Sequence, residues 1–80
     1  MKVTVQVFAA LKDFFASEFV LEIEKDASVS LLVEKLSALN PGSQAVLSKC
    51  RIAINEKFVS NQYVVKDEER IFIVPPSSGG

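Results

Sequence analysis

The residues best placed to do chemistry lie at the end of the chain. Pro75-Pro76-Ser77-Ser78-Gly79-Gly80 follows directly on the apolar run Ile71-Phe72-Ile73-Val74. Pro75 and Pro76 cannot donate to a β-ladder, and they hold the backbone extended. At about 3.3 Å per residue, the stretch 75–80 reaches roughly 20 Å beyond a folded body. A tail that threads a narrow channel cannot carry side chains next to its reactive atom. Gly79 and Gly80 carry none, and glycine takes backbone angles barred to other residues. The chemistry on offer is then that of the Gly80 carboxylate. Ser-Ser-Gly-Gly alone also fits a frayed terminus. Its position straight after an apolar strand and two prolines favours a functional tail.

Other chemistries are bounded by composition. The chain has one cysteine and no histidine. An internal disulfide, a Cys/His zinc site, a Ser-His-Asp triad and a Cys-His dyad are therefore excluded for the chain alone, and no metal site is expected. Cys50, flanked by Lys49 and Arg51, reads as a small buried hydrophobe rather than a persulfide relay, which needs an exposed, low-pKa thiol. No paired carboxylates point to acid–base work. Nine basic against ten acidic residues give a net charge of −1, which argues against a nucleic-acid partner. No apolar run is long enough to suggest a membrane span, and the alternating start Lys2-Val3-Thr4-Val5-Gln6-Val7 is unlike a signal peptide, so the expected compartment is the cytoplasm. Eighty residues, 49% of them hydrophobic, make one small folded domain with little interior for a substrate pocket. A binding module or carrier fits better than an enzyme.

The elements that position the tail follow from periodicity. Val3, Val5 and Val7 share one face of a first strand, and Phe8 falls on the other. Leu11, Phe14 and Phe15 predict a short helix within 10–16. Phe19, Leu21 and Ile23 mark a second strand, paired antiparallel with the first across a widened turn. The charged Glu22, Glu24, Lys25 and Asp26 suit an exposed edge. Ser28 caps the clearest helix, whose stripe is Val29, Leu32, Val33, Leu36 and Leu39. Asn40-Pro41-Gly42 stops it, and Ala45-Val46-Leu47 can add a turn. Ile52 and Ile54 define a third strand, Asn55-Glu56-Lys57 a turn, and Phe58-Val59 a short edge strand. Residues 61–65 cross irregularly with Tyr63 as anchor. Lys66-Asp67-Glu68-Glu69-Arg70 reads as a solvated turn. Ile71 to Val74 form a last strand, apolar on both faces, as for a central strand covered on both sides.

This order predicts an α+β fold of the β-grasp, or ubiquitin-like, roll type: a mixed sheet of four to five strands with one main helix on one face. Residues 1–74 form the domain and residues 75–80 a flexible extended tail. Parity also predicts an apolar docking patch on the face without the helix. Phe8, Val74 and Phe58 are its candidates, with Lys12 as a polar rim contact. The alternative is that some of these complete the core, and that Lys12 is an ordinary solvated lysine.

At this point the chain resembles the small, sulfur-carrying subunit of molybdopterin synthase (the MoaD family, among the MoaD/ThiS ubiquitin-like sulfur carriers). The resemblance spans the whole chain. It is carried by Val5-Gln6-Val7-Phe8-Ala9, the central helix, Ile52-Ala53-Ile54-Asn55, and Ile71 through Gly80 with its Pro-Pro-x-x-Gly-Gly ending. Two departures stand out. Asp67-Glu68-Glu69 replaces the family's Asp-Gly-Asp, so that turn is expected to differ slightly. Lys12 stands where many members have arginine, and Phe14-Phe15-Ala16 lacks their later glycine.

The resemblance implies a mechanism. A separate adenylating enzyme uses ATP to make an acyl-adenylate at Gly80, and sulfur from a persulfide donor replaces AMP to leave a thiocarboxylate. The tail then enters the synthase large subunit and passes sulfur to a precursor pterin (precursor Z), in molybdenum cofactor biosynthesis. Gly80 carries sulfur, Gly79 supplies clearance, and Pro75, Pro76, Ser77 and Ser78 set the reach. The chain itself binds no cofactor and acts as a sulfur-donating, non-catalytic subunit. Two readings compete: a sulfur carrier for thiamine or tRNA thiolation, and a ubiquitin-like protein modifier.

Overall fold

Three alternating valines begin the fold. In the computed structural model, which describes residues 1–76, strand β1 spans Lys2–Val7 and buries Val3, Val5 and Val7. A 3₁₀ turn, Ala9–Asp13, leads to β2, Glu18–Glu22, which pairs antiparallel with β1. The expected helix up to residue 16 is thus a shorter and tighter element. Leu11 alone of its residues is buried, while Phe14 and Phe15 follow the turn, with Phe15 stacked on Phe19 at 5.7 Å between centroids.

Helix α1, Val29–Leu39, starts where Ser28 Oγ accepts the Leu31 N–H at 3.2 Å. Such a cap contributes about 1 kcal/mol. Val29, Leu32 and Leu36 pack into the core. Leu39 does not: it is 62% exposed, because α1 stops at Asn40, beyond the edge of the buried stripe. Asn40 Nδ2 donates to Phe14 O at 2.9 Å, tying the helix end to the first connection. Helix α2, Gln44–Leu47, follows and buries Leu47.

Strands β3 (Arg51–Ile54), β4 (Lys57–Val59) and β5 (Arg70–Val74) complete a five-stranded sheet of order β2-β1-β5-β3-β4. The central pair β1 and β5 is parallel, with Val5 beside Ile71 and Val7 beside Ile73. The core lies between the sheet and α1, where Ile52, Ile54, Ile71 and Ile73 meet Leu32 and Leu36. No second layer covers the other face among the described residues. Phe72 and Val74 are half-buried there, so the expectation of a last strand covered on both sides is corrected.

The 61–65 crossing is fixed more firmly than one anchor would fix it. Val65 is buried and its N–H donates to Ala27 O at 2.8 Å, while Tyr63 Oη donates to Glu69 Oε2 at 2.8 Å. That bond, with the Glu69 charge beside it, pushes the Tyr63 phenol pKa up. Glu69 Oε1 also accepts the Lys66 N–H, and Asp67 Oδ1 accepts that of Lys2. The run read as a solvated turn is therefore an organised one. Glu68 within it has φ 65°, the left-handed region that glycine favours.

The β3–β4 hairpin turns through Asn55 and Glu56, at φ 54° and 65°. Two positive values in a two-residue loop fit a type I′ turn, whose twist matches that of the strands. A side chain in this region costs about 1–2 kcal/mol, partly offset in glycine by its larger loss of backbone entropy. Glu56→Gly is expected to stabilise the protein by about 0.5–1 kcal/mol. A higher urea midpoint with an unchanged slope would show it.

Candidate docking face and tail root

β5 ends at Val74, and Pro75 and Pro76 continue without regular structure. Gly79, Gly80, Ser77 and Ser78, the expected reactive end and spacer, lie outside the described residues. What the structure places is the root of the tail and the surface around it.

Sheet register assembles that surface. Side chains alternate, so the residues opposite the core on β5 are Arg70, Phe72 and Val74. β1 contributes Thr4 and Gln6 beside Arg70 and Phe72. β3 contributes Arg51 beside Val74 and Ala53 beside Phe72. β4 adds Phe58, the cross-strand partner of Ala53. Phe8, the residue after β1, stacks on Phe72 with centroids 6.2 Å apart. The result is a continuous apolar cluster of Phe8, Phe72, Val74, Ala53 and Phe58 on the sheet face away from α1. Phe58 is 52% exposed.

The sequence candidates Phe8, Val74 and Phe58 thus share one face, next to the tail. Lys12 sits in the last turn of the 3₁₀ segment, exposed and four residues beyond Phe8. Phe72 was not among the candidates, yet it is the hub, touching β1, β3 and the Phe8 ring. The signal was available: it shares the parity of Val74. Arg51 was missed as well. Its guanidinium carbon lies 3.7 Å from the Phe58 ring centroid. Only the β3–β4 register brings the two together.

The polar margin is structured. Arg70 Nη1 bonds Glu18 Oε1 at 2.7 Å and Gln6 Oε1 at 3.2 Å across three strands. Both members of that ion pair are well exposed, so its contribution to stability is about 0–1 kcal/mol. Its effect is to occupy Arg70.

Cys50 adjoins Arg51 and lines the same shallow cleft as Arg51 and Phe58. It is half-buried just before β3, at a groove of about 520 Å³ also lined by Val33, Ser37, Leu47 and Asn61. Its thiol donates to Val46 O at 3.2 Å, and burial pushes its pKa up. Both favour a protonated, unreactive sulfur. Among the described residues, no cluster of His, Cys, Asp or Glu could hold a metal ion, and no helix is long and apolar enough to cross a membrane.

The chain is similar to known proteins in sequence and fold. The model of the ThiS family matches residues 5–80. The molybdopterin synthase sulfur carrier subunit of Chlamydomonas reinhardtii is 29% identical over 83 residues, covering all of both chains. A solved protein–protein complex of subunits 1 and 2 of molybdopterin-converting factor from Helicobacter pylori contains a chain 26% identical, with full coverage of both and a TM-score of 0.72. SAMP1 from Haloferax volcanii superposes with a TM-score of 0.86 over all of both chains at 16% identity, a likeness of fold. These folds are ubiquitin-like β-grasp structures, as the topology here is.

If the face is a surface and not core, neighbours on β5 should respond unequally to truncation. Ile73→Ala, at a fully buried site, is expected to cost about 2–4 kcal/mol. Phe72→Ala, on the half-open face, is expected to cost no more than about 1–2 kcal/mol. Paired urea titrations would separate them.

Proposed function

This chain belongs to the ThiS family, and from that premise we propose that it is the sulfur-carrying subunit of molybdopterin synthase, acting in the cytoplasm. The observation that carries the reading is a full-length match, at 29% identity, to a molybdopterin synthase sulfur carrier subunit. The Helicobacter pylori likeness supports a partner, since that protein was solved as a complex of two subunits. The apolar face around the tail root supplies a surface for one.

The proposed chemistry resides at Gly80. A carboxylate is a poor electrophile and must be activated. In a separate adenylating enzyme, a Gly80 oxygen attacks the α-phosphorus of ATP, and pyrophosphate leaves. A donor persulfide then attacks the carbonyl carbon of the acyl-adenylate and expels AMP. A thiol cleaves the resulting S–S bond, leaving the thiocarboxylate and a disulfide. Docked on the large subunit, the thiocarboxylate sulfur attacks a carbon of the precursor pterin, and a C–O bond at that carbon breaks as its oxygen substituent leaves. Hydrolysis of the acyl link frees the sulfur on the pterin and restores the carboxylate.

The body's part is address and reach. Phe8, Phe58, Phe72 and Val74 bury against the large subunit, with Lys12 at the rim. Pro75 and Pro76 launch the tail in extended form, and Ser77, Ser78 and Gly79 pass through the channel without steric demand. Cys50 takes no part, since its thiol donates to Val46 O and burial raises its pKa.

Two measurements test this. The chain purified from its native source should show an oxygen-to-sulfur exchange at Gly80 by intact mass, with a synthase large subunit bound. Conjugates through target lysines would instead assign it as a modifier. Removal of Gly80 should abolish sulfur transfer while leaving the thermal midpoint and the large-subunit Kd within about twofold of wild type. Retained transfer would sink the tail mechanism.

A further inference from the structure

The chain has two arginines, and register places both on the open face. They differ in one respect. Arg70 is held by Glu18 and Gln6. Arg51 has no ion pair and no side-chain hydrogen bond among the described residues, and lies instead over the Phe58 ring. Such stacking uses the flat side of the guanidinium and leaves its in-plane N–H groups available. Arg51 also neighbours Val74 across the strands, so this cation stands at the tail root.

A buried partner interface cannot ignore such a group. Leaving an arginine unpaired in a covered apolar patch costs several kcal/mol. Moving it aside forfeits the stack and bares the Phe58 ring. The partner must therefore meet it with an acceptor in the plane of the fork. A shallow cleft of about 430 Å³ beside the stack, lined by Arg51, Phe58, Ser60 and Asn61, has room for one side chain. A carboxylate matches the fork in charge and shape.

We propose that Arg51, held flat on Phe58, is a specificity-determining contact of the docking face and takes up a carboxylate side chain of the protein partner. This rests on the reading that the open face docks the synthase large subunit. The apolar cluster gives that interface its area, and Arg51 selects the partner that carries an acidic residue opposite the tail root.

Calorimetry with the purified large subunit tests it, using wild type, Arg51→Gln, Arg51→Lys, Phe58→Ala and Phe8→Asp, each first shown folded by its thermal midpoint. Arg51→Gln should raise Kd by about tenfold or more near 0.05 M salt, with a smaller penalty near 0.5 M. Arg51→Lys should recover only part of the loss, since lysine keeps the charge without the planar fork. Combining Arg51→Gln with Phe58→Ala should cost less than the sum of the single changes, because the two groups act together. Wild-type binding by Arg51→Gln or Arg51→Lys overturns the inference while a weakened Phe8→Asp upholds the docking face. Unchanged binding by Phe8→Asp overturns the docking reading and this inference with it.

Discussion

The parallel pairing of β1 with β5 is the constraint on which the rest of the molecule depends. Two parallel neighbours finish at the same edge of a sheet. With Val7 beside Ile73, the residue after β1 and the last residue of β5 emerge together. Phe8 is thereby placed at the root of the tail, although it lies 66 positions before Val74. The antiparallel pairing of β3 then brings Arg51 to the same place. Parallel strands need a long crossover, and the segment from β2 through α1 to β3 and β4 provides it. The helix is thus both the core's lid and the reason that two distant segments can exit side by side.

Having its long helix on one side divides the sheet into a satisfied face and an unsatisfied one. α1 covers Val5, Ile71 and Ile73, while Phe8, Phe72 and Val74 are only half-buried among the described residues. The largest apolar patch on a small protein is a few hundred Å². Burying it is worth roughly 10 kcal/mol at 25 cal/mol per Å². Association itself consumes about 4–15 kcal/mol. Apolar area alone therefore leaves docking near balance. Such a balance gives an association that can be reversed. Polar matching at the margin is then what distinguishes one partner from another.

Much of this was legible in the sequence, because period two and period 3.6 report burial directly. Val3, Val5, Val7, Ile52, Ile54, Ile71 and Ile73 all took the core positions that their spacing assigned. Ser28 announced its helix by chemistry as well as position. The misreadings share a cause: periodicity states which way a residue faces but not whether anything lies opposite. Leu39 fits the helical stripe yet is exposed in the last turn of α1. The double-sided apolarity of β5 suggested two covering layers, and one side is open. Left-handed residues were also hidden, since Glu56 and Glu68 occupy angles that glycine would advertise. Phe72 and Arg51 needed strand register, which emerges only when non-local pairings are known. The tail's chemistry was read from composition and order, and its residues from 77 on lie outside the described residues.

A division of labour follows from where polarity is and is not found. The described body gathers no catalytic constellation, and its one thiol is turned to a backbone carbonyl and held protonated. Its strongest polar interactions, Tyr63 with Glu69 and Arg70 with Glu18, hold its own turns and strands. What remains for the folded part is to be recognised. Among the described residues, the surface the fold offers for this is the apolar face away from α1, at the edge where β1 and β5 end together.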